Sequence, residues 1–215
     1  MNDRAASSSA VPSEKSSQQE KRWSHPGGKL VELGSHTLKQ YELLAILIGS
    51  GTAGRPATSI ANAVLDIYIG LYGIHREATV EDLAKIAGLG RRKASRIMAA
   101  IEIGRKRYRA YKLSWSSPSI EDGLFQTPQP PSDSEPQPKE PDDVDLLATI
   151  IGSGVRGRPP KVIAKDLLAR FDGTILGLFG QFLGEELRIK GLNSVKIIRI
   201  IAALEVGKRV ADALS

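Results

Sequence analysis

Apolar residues fall along this chain in short runs and on helical spacings. Leu43 to Ile48 is an unbroken apolar run that halts at Gly49. A glycine-rich turn follows, then a longer segment from Ala57 to Ile69, a short one from Val80 to Ile86, and a last one from Arg92 to Tyr111. In the last segment Ala94, Ile97, Met98, Ile101, Tyr108 and Tyr111 keep a three-and-four repeat, which is what a helix with one buried side produces. The punctuation agrees with these limits. Gly49, Gly51 and Gly54 stand where a helix must stop, Thr79 can cap the third segment with Asp82 three residues on, and Gly88 with Gly90 separates the last two. The pattern predicts an all-α fold built of short helices.

The same pattern occurs twice. Leu43, Leu44, Ala45, Ile48, Gly49, Ser50, Gly51, Gly54, Arg55 and Pro56 recur at one fixed offset as Leu146 through Pro159. At that offset Gly88, Leu89, Lys93, Arg96, Ile97, Ala99, Ala100, Glu102 and Gly104 also recur, as Gly191 through Gly207. Two stretches are poor in bulky apolar side chains and cannot bury enough surface to offset the entropy of ordering. Residues 1–22 read as a disordered tail, and 114–141, dense in proline, as a disordered linker. The expected organisation is therefore two small helical domains, 23–113 and 142–215, joined by an acidic Pro-rich linker that leaves them free to reorient.

Composition narrows the picture. Hydrophobic residues make up 41% but aromatic ones only 5%, so the cores must be built from Leu, Ile, Val and Ala. The net charge of +6 favours polyanions or anionic membranes over acidic proteins. Cysteine is absent, which excludes disulfides, thiol catalysis and cysteine-based zinc sites. No apolar run has the length of a membrane span, and the polar amino terminus lacks a signal-peptide core, so a cytoplasmic protein is expected.

The chemistry concentrates between Leu83 and Gly104. An apolar helix, then Gly88, Leu89 and Gly90 in a tight turn, then an alanine-bearing helix, is the pattern of a helix-hairpin-helix motif. Gly90 can take positive φ, Gly88 is expected to let a phosphate approach the backbone, and Leu89 to pin the turn to the core. The next helix would then start with unbonded amides and partial positive charge, a ready anion site. Lys85, Arg91, Arg92, Lys93, Arg96, Arg105, Lys106, Arg107, Arg109 and Lys112 surround this turn with one acid, Glu102, among them. They are expected to form a solvent-facing phosphate stripe; a helix turn with a solvated charged face is the plainer alternative. In the second repeat Asn193 replaces the second glycine, and Ser194 and Val195 replace two arginines, so its grip is weakened while Lys196 and Arg199 remain. Asn193 is expected to hold the turn in a left-handed conformation.

Other motifs carry less. The glycines from Gly49 to Gly54, and again from Gly152 to Gly157, match a dinucleotide fingerprint formally, but no strand precedes them and no βαβ unit surrounds them. They read as a looser hairpin that places Arg55 and Arg158 near phosphate, or as a structural helix cap. His25, His36 and His75 are too scattered for a metal cluster and are expected in solvated loops. Trp23 and Trp115 border the flexible segments, where they can stack on bases or clamp the module edge. Glu81 with Asp82, and Glu185 with Glu186, read as helix-start charges and not as an acid-base pair.

Taken together, Glu42 to Ile48, the Gly-Ser-Gly-Thr-x-Gly-Arg turn from Gly49 to Arg55, and Gly88 to Arg105 resemble the amino-terminal helical domain of RadC-type proteins. Asp145 to Arg209 resembles the same domain again, so the likeness covers about two thirds of the chain. In that family the helical domain precedes a metalloprotease-like domain with a His-x-His and Asp metal site. No His-x-His occurs in this sequence, so the resemblance implies DNA contact and no hydrolase activity.

The function expected is sequence-nonspecific DNA binding in repair, recombination or DNA transfer, without a catalytic site, cofactor or metal. Gly88, Leu89, Gly90, Arg91, Arg92, Lys93, Arg96, Arg55 and Lys196 are its candidate residues. The alternative is a protein-interaction adaptor or transcription-associated regulator, with the second domain holding a protein partner.

Overall fold

The computed structural model describes residues 25–115, 141–184 and 187–215. The tail expected at 1–22, Trp23, most of the linker and the Glu185–Glu186 pair lie outside them. The described residues are helical, with α1 Pro26–Leu33, α2 Gln40–Ile48, α3 Ala57–Tyr68, α4 Leu71–Glu77, α5 Val80–Lys85 and α6 Gly90–Trp115 in the first half. The second half holds α7 Asp143–Ile151, α8 Pro160–Leu168 and α9 Ser194–Leu214. Short 3-10 turns occupy Ser35–Thr37 and Leu176–Leu178. Among the described residues there is no strand beyond two isolated bridges, and no single helix is long and apolar enough to cross a membrane.

The glycine-rich segments after α2 and α7 are twin turns. Thr52 and Arg55 exchange both backbone hydrogen bonds at 2.9 and 3.0 Å, and Val155 and Arg158 do the same. A side chain at Gly51 would overlap the carbonyl of Arg55, and one at Gly154 the carbonyl of Arg158. Backbone crowding therefore accounts for these glycines.

The expectation of two modules free to reorient meets a different arrangement. One continuous core of Leu, Ile, Val and Ala runs through both halves. Helix α6 lies along α9, α2 packs against α9 as well as α6, and α7 against α6 as well as α9, so the halves interleave. The crossing of α6 and α9 is close enough to bring backbones into contact. A Cβ at Gly104 would lie 2.7 Å from the carbonyl oxygen of Gly207 and 2.8 Å from the Cβ of Val210. Ala99, Ala100 and Ile103 are buried there along with Ala202, Ala203 and Val206. The middle of α6 is therefore buried on both sides, and not on one as its spacing predicted.

Polar contacts reinforce the seam and draw on the expected basic stripe. Lys106 pairs with Asp143 at 2.5 Å, and the other oxygen of Asp143 accepts from the Ile175 amide. Arg107 lies over the Phe179 ring at 4.4 Å, a cation–π contact. Ser35 donates to Glu205, which also pairs with Arg209. Half of the stripe, Lys93, Arg96, Arg105, Lys106 and Arg107, is thus half-buried against neighbours, while Lys85, Arg91, Arg92, Arg109 and Lys112 stay exposed. Helix α6 also runs through Trp115, past Ser114, where the linker was expected to begin.

His75, expected in a solvated loop, lies half-buried on α4. Its Nδ1 accepts from Arg105 Nε at 2.9 Å, its carbonyl accepts from the same guanidinium, and Arg105 also donates to Glu102. The Tyr72 ring and Arg76 flank it. Burial, then the Arg105 charge, lower the His75 pKa, with Glu102 opposing.

Two outcomes follow. Gly104→Ala should destabilise the fold by about 1 to 3 kcal/mol through overpacking, although alanine is the better helix former. Urea unfolding would measure it, with both halves melting in one transition; an unchanged midpoint would mean that the seam is not there. For His75, the unfolded chain binds its proton near the ordinary value of about 6.5 and the folded chain only below it. Its contribution is therefore complete above about pH 6.5 and is lost as pH falls through that value toward the folded-state pKa. Melting temperature should fall more steeply from about pH 7 to pH 5 in the wild type than in His75→Gln.

Candidate nucleic-acid interface

The turn between α5 and α6 takes the shape its residues suggested. Gly88 and Gly90 both have positive φ, 86° and 64°, and Leu89 between them is buried at 2% exposure. Thr79 caps α5, accepting from the Asp82 amide at 3.1 Å, so Glu81 and Asp82 do sit in a first helical turn.

The two glycines have unlike surroundings. A Cβ at Gly88 would meet the Cδ1 of Ile60 at 2.8 Å and the methyl of Thr52 at 3.4 Å, while one at Gly90 would meet nothing. Gly88 therefore admits a core side chain from α3, where a phosphate was expected, and Gly191 meets Ile163 in the same way. Gly90 is the open side of the turn.

The start of the long helix differs between the halves. In α9 the Asn193 side chain accepts from the Lys196 amide at 3.1 Å, with φ at −104°. Asn193 is thus an ordinary N-cap in extended conformation, and the left-handed role expected of it is not taken. In α6 the equivalent residue is Gly90, which has no side chain to cap with. Among the described residues no acceptor meets the amides of Gly90, Arg91 or Arg92, and all three residues are exposed. Unbonded amides carry partial positive charge and attract anions.

Four of the candidate cations are engaged with the fold's own carbonyls. Lys93 donates to the Gly88 carbonyl at 2.9 Å and Lys196 to the Gly191 carbonyl at 2.6 Å, the same brace in each half. Lys196 is buried, which lowers its pKa, and its head group does not face solvent as a phosphate contact would require. Arg55 donates to the Ala87 carbonyl at 2.9 Å and ties the glycine turn to the hairpin; Arg158 pairs with Asp166 instead. Arg96 reaches the Leu47 carbonyl at the end of α2 at 3.4 Å, and Arg199 the Ile151 carbonyl at the end of α7 at 3.1 Å. A cation at a helix C-terminus is favourably placed against the helix dipole.

Arg91 and Arg92 remain. Arg91 pairs with Glu81 at 3.1 Å, both well exposed, a surface contact that contributes little. Arg92 has no partner among the described residues. Burial, then the charges of Arg199 and Arg92, bring the Arg96 pKa down to about 10.

Among the described residues, no group of three or more His, Asp or Glu side chains is arranged to hold a metal ion. His25, expected in a solvated loop, caps α1 through its Nδ1, and Lys29 on that helix pairs with the buried Glu42 at 2.9 Å.

Comparison with known proteins falls on the first half. Residues 18–95 match the family model described as UPF0758 N-terminal, a region that takes in the α5–α6 turn with Gly90, Arg91 and Arg92. A UPF0758 protein of Alkaliphilus oremlandii is 40% identical over 82 residues, 38% of this chain and 35% of its own length. One of Geobacillus thermodenitrificans is 40% identical over 83 residues, 39% of this chain and 36% of its own. One of Geobacillus sp. strain WCH70 is 37% identical over 99 residues, 46% of this chain and 43% of its own. The chain thus spans well under half the length of these curated relatives, and no solved structure matches it. What these likenesses show is that residues 18–95 are similar to the UPF0758 N-terminal region.

Proposed function

We propose that this protein binds DNA without sequence preference, gripping the phosphate backbone at the start of α6, and that it acts by binding and not by catalysis. One observation carries the reading. The amino end of α6 is uncapped, open to solvent and flanked by Arg91 and Arg92, whereas the equivalent end of α9 is capped by Asn193 and followed by Ser194 and Val195. Gly88 and Leu89 hold the turn, Gly90 keeps it open, and Lys93, Arg96 and Arg55 brace it from behind through carbonyl contacts. Phosphate oxygens would meet amide donors and two guanidinium groups, a combination suited to a polyanion of any sequence.

The second half fits the reading as a repeat of the first whose own grip has lapsed, since it keeps the braces and lacks the exposed arginines. On this view the chain is a tandem duplication of a UPF0758 N-terminal type of domain, serving repair, recombination or DNA transfer. Lys196 then belongs to the architecture and not to the DNA contact.

Anisotropy of a short labelled duplex, titrated over a range of salt concentrations, tests the reading. Arg91→Ala with Arg92→Ala should weaken binding to all duplexes alike and lower the salt slope by about 0.9 for each phosphate no longer neutralised. Unchanged affinity and slope in a folded variant would overturn it.

A further inference from the structure

The interleaving of the halves creates two clefts in equivalent places. Each lies between the first turns of one half's long helix and the glycine turn of the other half. The first is formed by Arg91, Arg92, Ser95 and Arg96 of α6 against Thr149, Gly152 and Ser153, with a volume of about 510 Å³. The second is formed by Val195, Ile198 and Arg199 of α9 against Ile46 and Gly49, with a volume of about 420 Å³.

The two share a frame and differ in lining. Arg96 rests on Gly152, where a Cβ would lie 2.6 Å from its Nη2, and Arg199 approaches Gly49 in the same sense. Around that shared arginine, Ser95 in the first cleft stands where Ile198 stands in the second, Thr149 where Ile46 stands, and Arg92 where Val195 stands. The second cleft is further occupied at its rim by His25, Pro26 and Gly27 at the start of α1, with Gly27 close to Ile198. The first holds three arginines, three hydroxyls and no acidic side chain in its lining. Neither the Ser95 nor the Ser153 hydroxyl has a partner among the described residues.

We infer that the first cleft is a composite phosphate site, in which α6 of the first half and the glycine turn of the second half together hold one phosphate of a nucleic-acid backbone. Arg92 and Arg96 supply charge and the hydroxyls of Ser95 and Ser153 supply donors, while Thr149, whose hydroxyl donates to the Asp145 carbonyl at 2.8 Å, shapes the wall. This rests on the DNA-binding reading above and adds to it that the second half contributes directly to the contact. Of the two clefts only this one is such a site, because its twin is apolar where this one is polar. The lining supports it: Arg92 and Arg96 share the cleft with no acidic side chain in its wall, and like charges held together are relieved by an anion.

The twin cleft supplies the test, because it shows that isoleucine fits at both positions. Ser95→Ile with Thr149→Ile leaves Arg91 and Arg92 in place and fills the cleft as its counterpart is filled. In the duplex titration this variant should bind about tenfold more weakly, with a salt slope lower by about 0.9. Wild-type affinity and slope in the variant would overturn the composite site. If the Arg91 and Arg92 variant still loses binding, the DNA-binding reading survives that result. No salt-dependent duplex binding by the wild type would overturn both. Should the isoleucine variant not fold, the wild-type protein decides by amide NMR. The Gly152 and Ser153 resonances should shift on adding duplex together with that of Arg92, and silence at Gly152 and Ser153 would overturn the site.

Discussion

The fold depends on the contact of two helix backbones. Where α6 crosses α9, Gly104 leaves no room for a side chain and Gly207 little, and the small residues Ala99, Ala100, Ala202 and Ala203 let the axes approach. Each half then leans its apolar first helix on the other half's long helix, α2 on α9 and α7 on α6. A half this short has few means of covering its own apolar surface. Interleaving pools two small sets of Leu, Ile, Val and Ala into one core without a buried aromatic among the described residues.

That arrangement separates residues that maintain the body from residues left over for other work. Lys93 and Lys196 brace equivalent turns, Arg96 and Arg199 meet the carboxyl ends of α2 and α7, and Gly88 and Gly191 admit Ile60 and Ile163. These residues, shared by both halves, each have a packing or hydrogen-bonding task. Arg91, Arg92, Ser95 and the uncapped Gly90 appear in the first half alone, and they gather on one exposed edge.

Much of this was readable from the residues, within limits set by physics. The run from Leu43 marked α2, but the helix starts at Gln40 because Glu42 accepts from the Lys39 amide at 2.6 Å. Helix α4 escaped because it is short, interrupted by Gly73, and follows Ile69 in a left-handed conformation that no side-chain pattern announces. Helix α1 escaped for want of apolar periodicity, though Pro26 after a residue able to cap was a signal. The Gly88 to Gly90 turn was legible because φ preferences are local. What its basic neighbours touch was not, since a row of lysines and arginines looks the same whether it meets carbonyls, carboxylates or water. The recurrence of Lys93 and Arg96 in a half without exposed arginines was the available clue that they serve the frame. The seam itself was hidden because alanine and glycine read as helix filler until a second helix is laid against them.

The backbone contact at Gly104 and Gly207 also sets how each surface can vary. Residues along the crossing are bound to one another in pairs, so a change in either half must be answered in the other. Positions such as Ser194 and Val195, at the far end of α9, carry no such obligation and can drift without loosening the body. A lapsed grip in the second half is therefore compatible with its complete retention, because the side that holds the body together faces inward while its idle side faces water.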